Sequence, residues 1–152
     1  MVLNRDGELL LARRSEEKRL WPGFWDGTVA SHVAAGEDYF TASKRRLIQE
    51  IGLSTDGIKY LFKFQYHARY KDIGSESEIC AVTLVGGVDL MTIFPSSDEI
   101  TSIRGINLLA LMEDVVRNPG VYTPWLILTL EHMNEQGLIL HGSPNRQQLL
   151  RT

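Results

Sequence analysis

Trp21–Leu53 reads WPGFWDGTVASHVAAGEDYFTASKRRLIQEIGL, and the rest of the chain is organised around it. Trp21-Pro22-Gly23-Phe24-Trp25 is a rigid aromatic turn, and the run Gly27–Val33 predicts a short strand. Ala34–Glu37 makes a corner. From Asp38 the pattern becomes helical: over 38–51, Phe40, Leu47 and Ile51 share one side of a helix, while Arg46, Gln49 and Glu50 cluster on another. Gly52 is its C-terminal stop. The stretch holds one histidine, several carboxylates and adjacent arginines, a mixture that suits a metal ion and an anion better than plain packing.

Working upstream, Arg13–Arg19 is a charged loop with four cations and two carboxylates, which by itself reads as a solvated turn. Before it, Met1–Leu3 and Glu8–Ala12 flank Asn4-Arg5-Asp6-Gly7, and Asp-Gly supplies the positive φ of a hairpin turn. The first arm has only three residues, so a native strand upstream is expected.

Downstream, Lys59–Tyr70 is a strand in which Tyr60, Phe62, Phe64, Tyr66, Ala68 and Tyr70 alternate with mostly polar residues. Asp72–Ser75 turns the chain into a partner strand, Glu76–Val85, with Glu76, Glu78, Cys80, Val82 and Leu84 on one face. Two carboxylates beside apolar neighbours need either a compensating cation or a solvated strand end, and from this segment both readings stay open. Pro95–Asp98 is a loop, Glu99–Ile106 a strand and Asn107–Arg117 a helix broken by Asn118-Pro119-Gly120. Thr123 then caps a helix with Pro124 at its first position, running to about Met133. Trp125 falls in its first turn, where a tryptophan usually belongs to the core.

At 152 residues and 43% hydrophobic content the chain suits one domain: residues 1–135 form it, with 136–152 as a partly disordered tail. A net charge of −3 argues against a nucleic-acid polymer as partner, and no apolar run can span a bilayer. The single cysteine, Cys80, cannot form an internal disulfide, so a cytoplasmic protein is expected. Neither GxGxxG nor GxxxxGK[ST] occurs. The element order implies an α/β fold, an α/β/α layered sandwich with a mixed sheet.

The central stretch resembles the box of the Nudix superfamily, G-x5-E-x7-R-E-U-x-E-E-x-G-U with U apolar. Anchored on Gly52-Leu53, the chain has Ser31 for the first glycine, Glu37 for the first glutamate and Arg45 for the arginine. Arg46 and Gln49 stand where two metal-binding glutamates are expected, followed by Glu50. These departures look like one branch, the type I isopentenyl-diphosphate isomerases, which read approximately RR…K..WPG.WTNS.CGHP..GE and then an arginine-rich helix ending YELG. The matching residues are Arg13-Arg14, Lys18, Trp21-Pro22-Gly23, Trp25, His32, Gly36-Glu37, Arg45-Arg46 and Glu50-Ile51-Gly52. Glu76-Ser77-Glu78 and Thr123-Pro124-Trp125 look like the branch's E-N-E and S-P-W.

The resemblance implies a Nudix-type sandwich and the following site. His32, Glu76 and Glu78 would hold a divalent metal, with Zn²⁺ possible there, and Glu37 and Glu50 would complete the set, Glu50 helping to hold Mg²⁺ or Mn²⁺ on the substrate. Arg14, Lys18 and Arg46 would bind the diphosphate, and Trp125 would face a carbocation-like hydrocarbon. Glu78 and Tyr66 would manage protons, with Glu50 also part of the catalytic set. The branch's acid/base cysteine falls at Ala30, whose methyl group moves no proton. Two further histidines of the branch's metal site belong to segments upstream of Met1. With alanine at 30, the favoured reading is metal-dependent hydrolysis of a small organic diphosphate by a monomer or homodimer. Isomerisation of isopentenyl diphosphate is the first alternative, and a non-catalytic diphosphate binder the second.

Overall fold

The computed structural model describes residues 1–139. Its elements are β1 (Val2–Asn4), β2 (Leu9–Arg14), β3 (Trp25–Asp26), α1 (Tyr39–Ile51), β4 (Lys59–Tyr70), β5 (Gly74–Val88), β6 (Ile100–Ile106), α2 (Leu108–Arg117) and α3 (Pro124–Glu135). The run Leu9-Leu10-Leu11-Ala12 explains the layering. All four side chains are buried, and alternate residues of a strand point to opposite faces. Leu9 and Leu11 join the core formed with Leu111, Leu126 and Leu130 of α2 and α3, whereas Leu10 and Ala12 pack with Leu47 and Ile51 of α1. Helices therefore cover both faces of the sheet, and the α/β/α sandwich follows.

The strand order is β3-β2-β1-β5-β4, with β6 paired to β2. β1 runs parallel to β5 and the other pairings between these strands are antiparallel, so the sheet is mixed. The hairpin turn holds Gly7 at φ 81°, a value that glycine adopts without strain. The N-cap of α1 is Asp38, whose carboxylate accepts from the Thr41 N–H, and its end is Gly52 at φ 69°. β4 has the bounds its alternation predicts, and β5 extends beyond the predicted Glu76–Val85 in both directions.

Four expectations are corrected. Gly27–Val33 is not a strand: β3 stops at Asp26, and the Thr28 hydroxyl replaces ladder bonding by accepting from the Val2 N–H (2.9 Å) and donating to the Leu10 carbonyl (2.5 Å). With that slot filled, residues 27–38 leave the sheet as a loop. Phe40 does not share the buried side of Leu47 and Ile51; it is 49% exposed. The smaller Ala42 and Ser43 face the sheet there, with the Ser43 and Thr83 hydroxyls 3.0 Å apart. Tyr60 also leaves the alternating face, because the β4–β5 register shifts between Tyr60 and Phe62, and its ring stacks on Tyr39 instead. Thr123 occupies the N-cap position of α3 but makes no side-chain cap bond; its hydroxyl is turned to Asp26.

Among the described residues, no helix is long and apolar enough to cross a membrane. Ile139 is buried against the core of α2 and α3, so the packed unit reaches past Glu135. The tail expected over 136–152 lies outside the described residues from position 140 onward.

Candidate active site

Two polar clusters meet at Trp125. The first is built on β2, the loop after it, α1 and the start of β6. Arg14, Lys18, Asp26, Ala30, Glu50 and Glu99 line one small cavity. Arg46 joins from α1, with its guanidinium 2.6 Å from Glu50 and 3.2 Å from Glu99. Lys18 is paired with Glu99 and Arg14 with Asp26. The three cations expected to bind a diphosphate are thus gathered in one place, each already facing an acid of this chain. Burial pushes the Glu50 carboxyl up to about 7, against the pull of Arg46. Lys18 and Arg46 hold Glu99 below its usual range despite its partial burial, which acts the other way.

Arg14 is more firmly fixed than a free phosphate ligand. Its Nε donates to the Trp21 carbonyl and its Nη2 to the Leu20 carbonyl, both at 3.0 Å. Its Nη1 donates to Asp26 Oδ2 at 3.2 Å. Trp21 itself has a positive φ of 50°, uncommon outside glycine.

The second cluster sits on the facing strands β4 and β5. Tyr66 pairs with Glu78 in register, and its hydroxyl donates to Glu76 (3.1 Å) and reaches Glu78 (3.4 Å). His32 Nε2 meets the other oxygen of Glu78 at 2.6 Å from the loop after β3. Burial first, and then the two carboxylates, push the Tyr66 hydroxyl far above its ordinary range, so it remains a proton donor. Cys80, next on that face, is pushed up to about 11 by burial and by Asp26 and Glu78, and is a neutral thiol.

Trp125 joins the clusters. Its ring lies 5.9 Å from Tyr66, the Arg14 guanidinium sits 5.2 Å over its face, and its Nε1 donates to Asp26 at 2.8 Å. It is buried and edge-packed on Trp21, so it is part of the wall as much as a contact surface. Glu37 stands apart from both clusters in its bonding. Arg45 binds its two oxygens at 2.7 Å each, and Glu37 also accepts from the Ala34 N–H. These bonds close the corner before α1 and hold the Glu37 carboxyl down to about 2. The donors His32, Glu76 and Glu78 are of types that suit a divalent cation. Among the described residues, however, no three His, Cys, Asp or Glu side chains converge as a ready metal site.

Two site residues were not singled out as such by the sequence, Asp26 and Glu99. Glu99 gave no signal beyond its place at a strand start. Asp26 did: it is an acid inside an otherwise aromatic and apolar run, where the branch pattern W-T-N-S has threonine. A wider surface depression walled by His67, Arg69, Asp72, Ile73, Gly74 and Ser75 contains none of the candidate residues.

The NUDIX domain family matches residues 1–126, and the chain belongs to that family. Within it the chain belongs to the isopentenyl-diphosphate Delta-isomerase branch. It is 42% identical over 138 residues to the Halobacterium salinarum protein named isopentenyl-diphosphate Delta-isomerase, covering 86% of this chain and 62% of that one. It is 34% identical over 125 residues to isopentenyl-diphosphate Delta-isomerase 1 of Photorhabdus laumondii, covering 82% of this chain and 70% of the relative. The chain therefore spans somewhat under two thirds of the halobacterial relative. Among solved structures, a Deinococcus radiodurans protein superposes with a TM-score of 0.70 at 21% identity, covering 86% of this chain and 77% of that chain. The MutT protein of Methanosarcina mazei Go1 gives 0.70 at 19%, covering 90% of each. These two likenesses support the fold.

Proposed function

We propose that the chain is an enzyme that moves protons on a small organic diphosphate of the isopentenyl type, shifting its double bond rather than cleaving its diphosphate. The observation that carries this is the Tyr66 hydroxyl set between Glu76 and Glu78, with His32 on the far oxygen of Glu78. Such a cluster can give a proton to one carbon or take one from it, and the double-bond shift as a whole leaves the composition of the substrate unchanged. The names of the Halobacterium and Photorhabdus relatives support the same substrate class. Arg14, Lys18 and Arg46 would bind the diphosphate, exchanging their present acids for phosphate oxygens. Mg²⁺ or Mn²⁺ would offset the combined charge of the diphosphate and the carboxylates, with His32, Glu76, Glu78 and Glu50 as its candidate ligands and Glu37 reaching it only by leaving Arg45.

Hydrolysis is the second reading, favoured by Ala30, which offers the cavity no acid or base. It is weakened by Arg46, whose positive charge binds Glu50 on the helix face where hydrolases of this superfamily gather carboxylates. Incubation with isopentenyl diphosphate in D₂O with Mg²⁺ and Mn²⁺, followed by ¹H and ³¹P NMR, separates the readings. Deuterium in an allylic product supports proton transfer, and Glu78→Gln abolishes it. Phosphate release without deuterium incorporation overturns the proposal in favour of hydrolysis. Binding with neither signal overturns it in favour of a non-catalytic diphosphate binder.

A further inference from the structure

We infer that Asp26 is the second proton-transfer group of this site, serving the side of the cavity that Ala30 leaves without one; the inference rests on the proton-transfer reading above. Moving a double bond along three carbons adds a proton at one end and removes one from the other, and when these events fall on opposite sides of the three carbons the site needs a group on each side. Glu78 with Tyr66 is one. Asp26 and Ala30 line the same cavity, and of the acids there Asp26 alone bonds directly to Trp125, whose ring also contacts Tyr66. A carboxylate at 26 and the Tyr66–Glu78 pair thus flank one indole.

The bonding of Asp26 suits this task. Oδ1 accepts from the Gly27 N–H (2.7 Å), the Thr123 hydroxyl (3.0 Å) and Trp125 Nε1 (2.8 Å). Those bonds saturate that oxygen and fix the carboxylate's orientation. Among the described residues, Oδ2 accepts only from Arg14 Nη1, at 3.2 Å, and so retains acceptor capacity. The group is 3% exposed, and burial raises its proton affinity against the opposing pull of Arg14 and the hydrogen bonds. The charged and titratable groups acting on it are Arg14 from β2, Cys80 from β5 and the Met1 amino group, with Lys18, Glu50 and Glu99 on the same cavity and neutral donors from Thr123 and Trp125. In the forward direction Asp26 takes the proton from the carbon next to the diphosphate-bearing one, while the Glu78 side delivers one to the terminal alkene carbon. Asp26 then passes its proton to solvent or to the reverse reaction.

The test is deuterium incorporation from D₂O into isopentenyl diphosphate by the wild type, Asp26→Asn, Ala30→Cys and Asp26→Asn/Ala30→Cys, with thermal melting of each. Asparagine keeps an oxygen for Trp125 and Thr123 but is no base. We expect a loss of about 100-fold or more in Asp26→Asn and substantial recovery when the thiol is added at 30. A merely structural Asp26 predicts the same fold-loss from Asp26→Asn in the wild type and in Ala30→Cys, and that result overturns the inference. Thr123→Val serves if Asp26→Asn fails to fold, since it removes one donor from Oδ1 and leaves the carboxylate. It should move the acidic limb of the rate profile up by about half a pH unit; an unmoved limb overturns the inference. An inactive wild type is a different outcome, which overturns the proton-transfer reading and this inference with it.

Discussion

Arg46 and Glu50 stand one turn apart on α1 with their charged groups 2.6 Å apart, and both are largely buried. Burial of Glu50, which outweighs the opposing pull of Arg46, makes the fold's stability depend on pH. Glu50 is raised from an unfolded value of 4.5 to about 7, so the folded state binds its proton more tightly than the unfolded chain does. Its stabilising contribution is complete below about 4.5 and is lost as pH rises through about 7. Urea unfolding at pH 5 and pH 8 should show a difference that shrinks by about 2–3 kcal/mol in Glu50→Gln. An unchanged difference would mean that Glu50 titrates as an ordinary carboxylate.

Glu99 holds two of the three cations proposed to bind a diphosphate, Lys18 and Arg46. Removing its charge should free them. We expect Glu99→Gln to bind inorganic pyrophosphate about fivefold more tightly by calorimetry, roughly 1 kcal/mol. Weaker binding would show that Glu99 supports the anion site instead of competing with it.

The layers of the fold were legible because periodicity reports burial directly. The strand over 59–70 and the Pro124 start of α3 follow from local chemistry alone. The failures share a cause, which is a partner distant in sequence. Thr28 replaces strand pairing through bonds to Val2 and Leu10, and Thr123 turns from its helix to an acid 97 residues away. The same distance concealed Asp26: nothing near it in sequence announces that Arg14, Thr123 and Trp125 converge on one carboxylate. The cation cluster was legible from the branch pattern, but its neutralisation by Asp26, Glu50 and Glu99 was not, since Glu99 reaches Lys18 only across the β2–β6 pairing.

Glu37 tests a residue whose sequence position and bonding point different ways. The box pattern makes it a metal ligand, while both of its oxygens are taken by Arg45. We expect Glu37→Gln to leave Mn²⁺ affinity unchanged in a paramagnetic titration and to lower the melting temperature near neutral pH. With the Glu37 carboxyl at about 2 in the fold, that stabilisation is present above its usual 4.5 and is lost as pH falls toward 2. The wild type and the variant should therefore melt alike in strong acid. A marked loss of Mn²⁺ binding would restore the ligand role.

Tyr66→Phe isolates the proton chemistry from the packing. The ring contacts with Phe64 at 6.1 Å and Trp125 at 5.9 Å survive the change, so the core should be little disturbed. What disappears is the hydroxyl that lies between Glu76 and Glu78. Without it the two carboxylates face each other with no donor between them, and one must take up a proton or draw a cation closer. If the hydroxyl serves the transfer, kcat for isopentenyl diphosphate should fall by about 100-fold or more while KM changes little, because the proposed diphosphate site is the other cluster. A rise in KM at constant kcat would instead place Tyr66 in substrate binding and leave Glu78 to act without it.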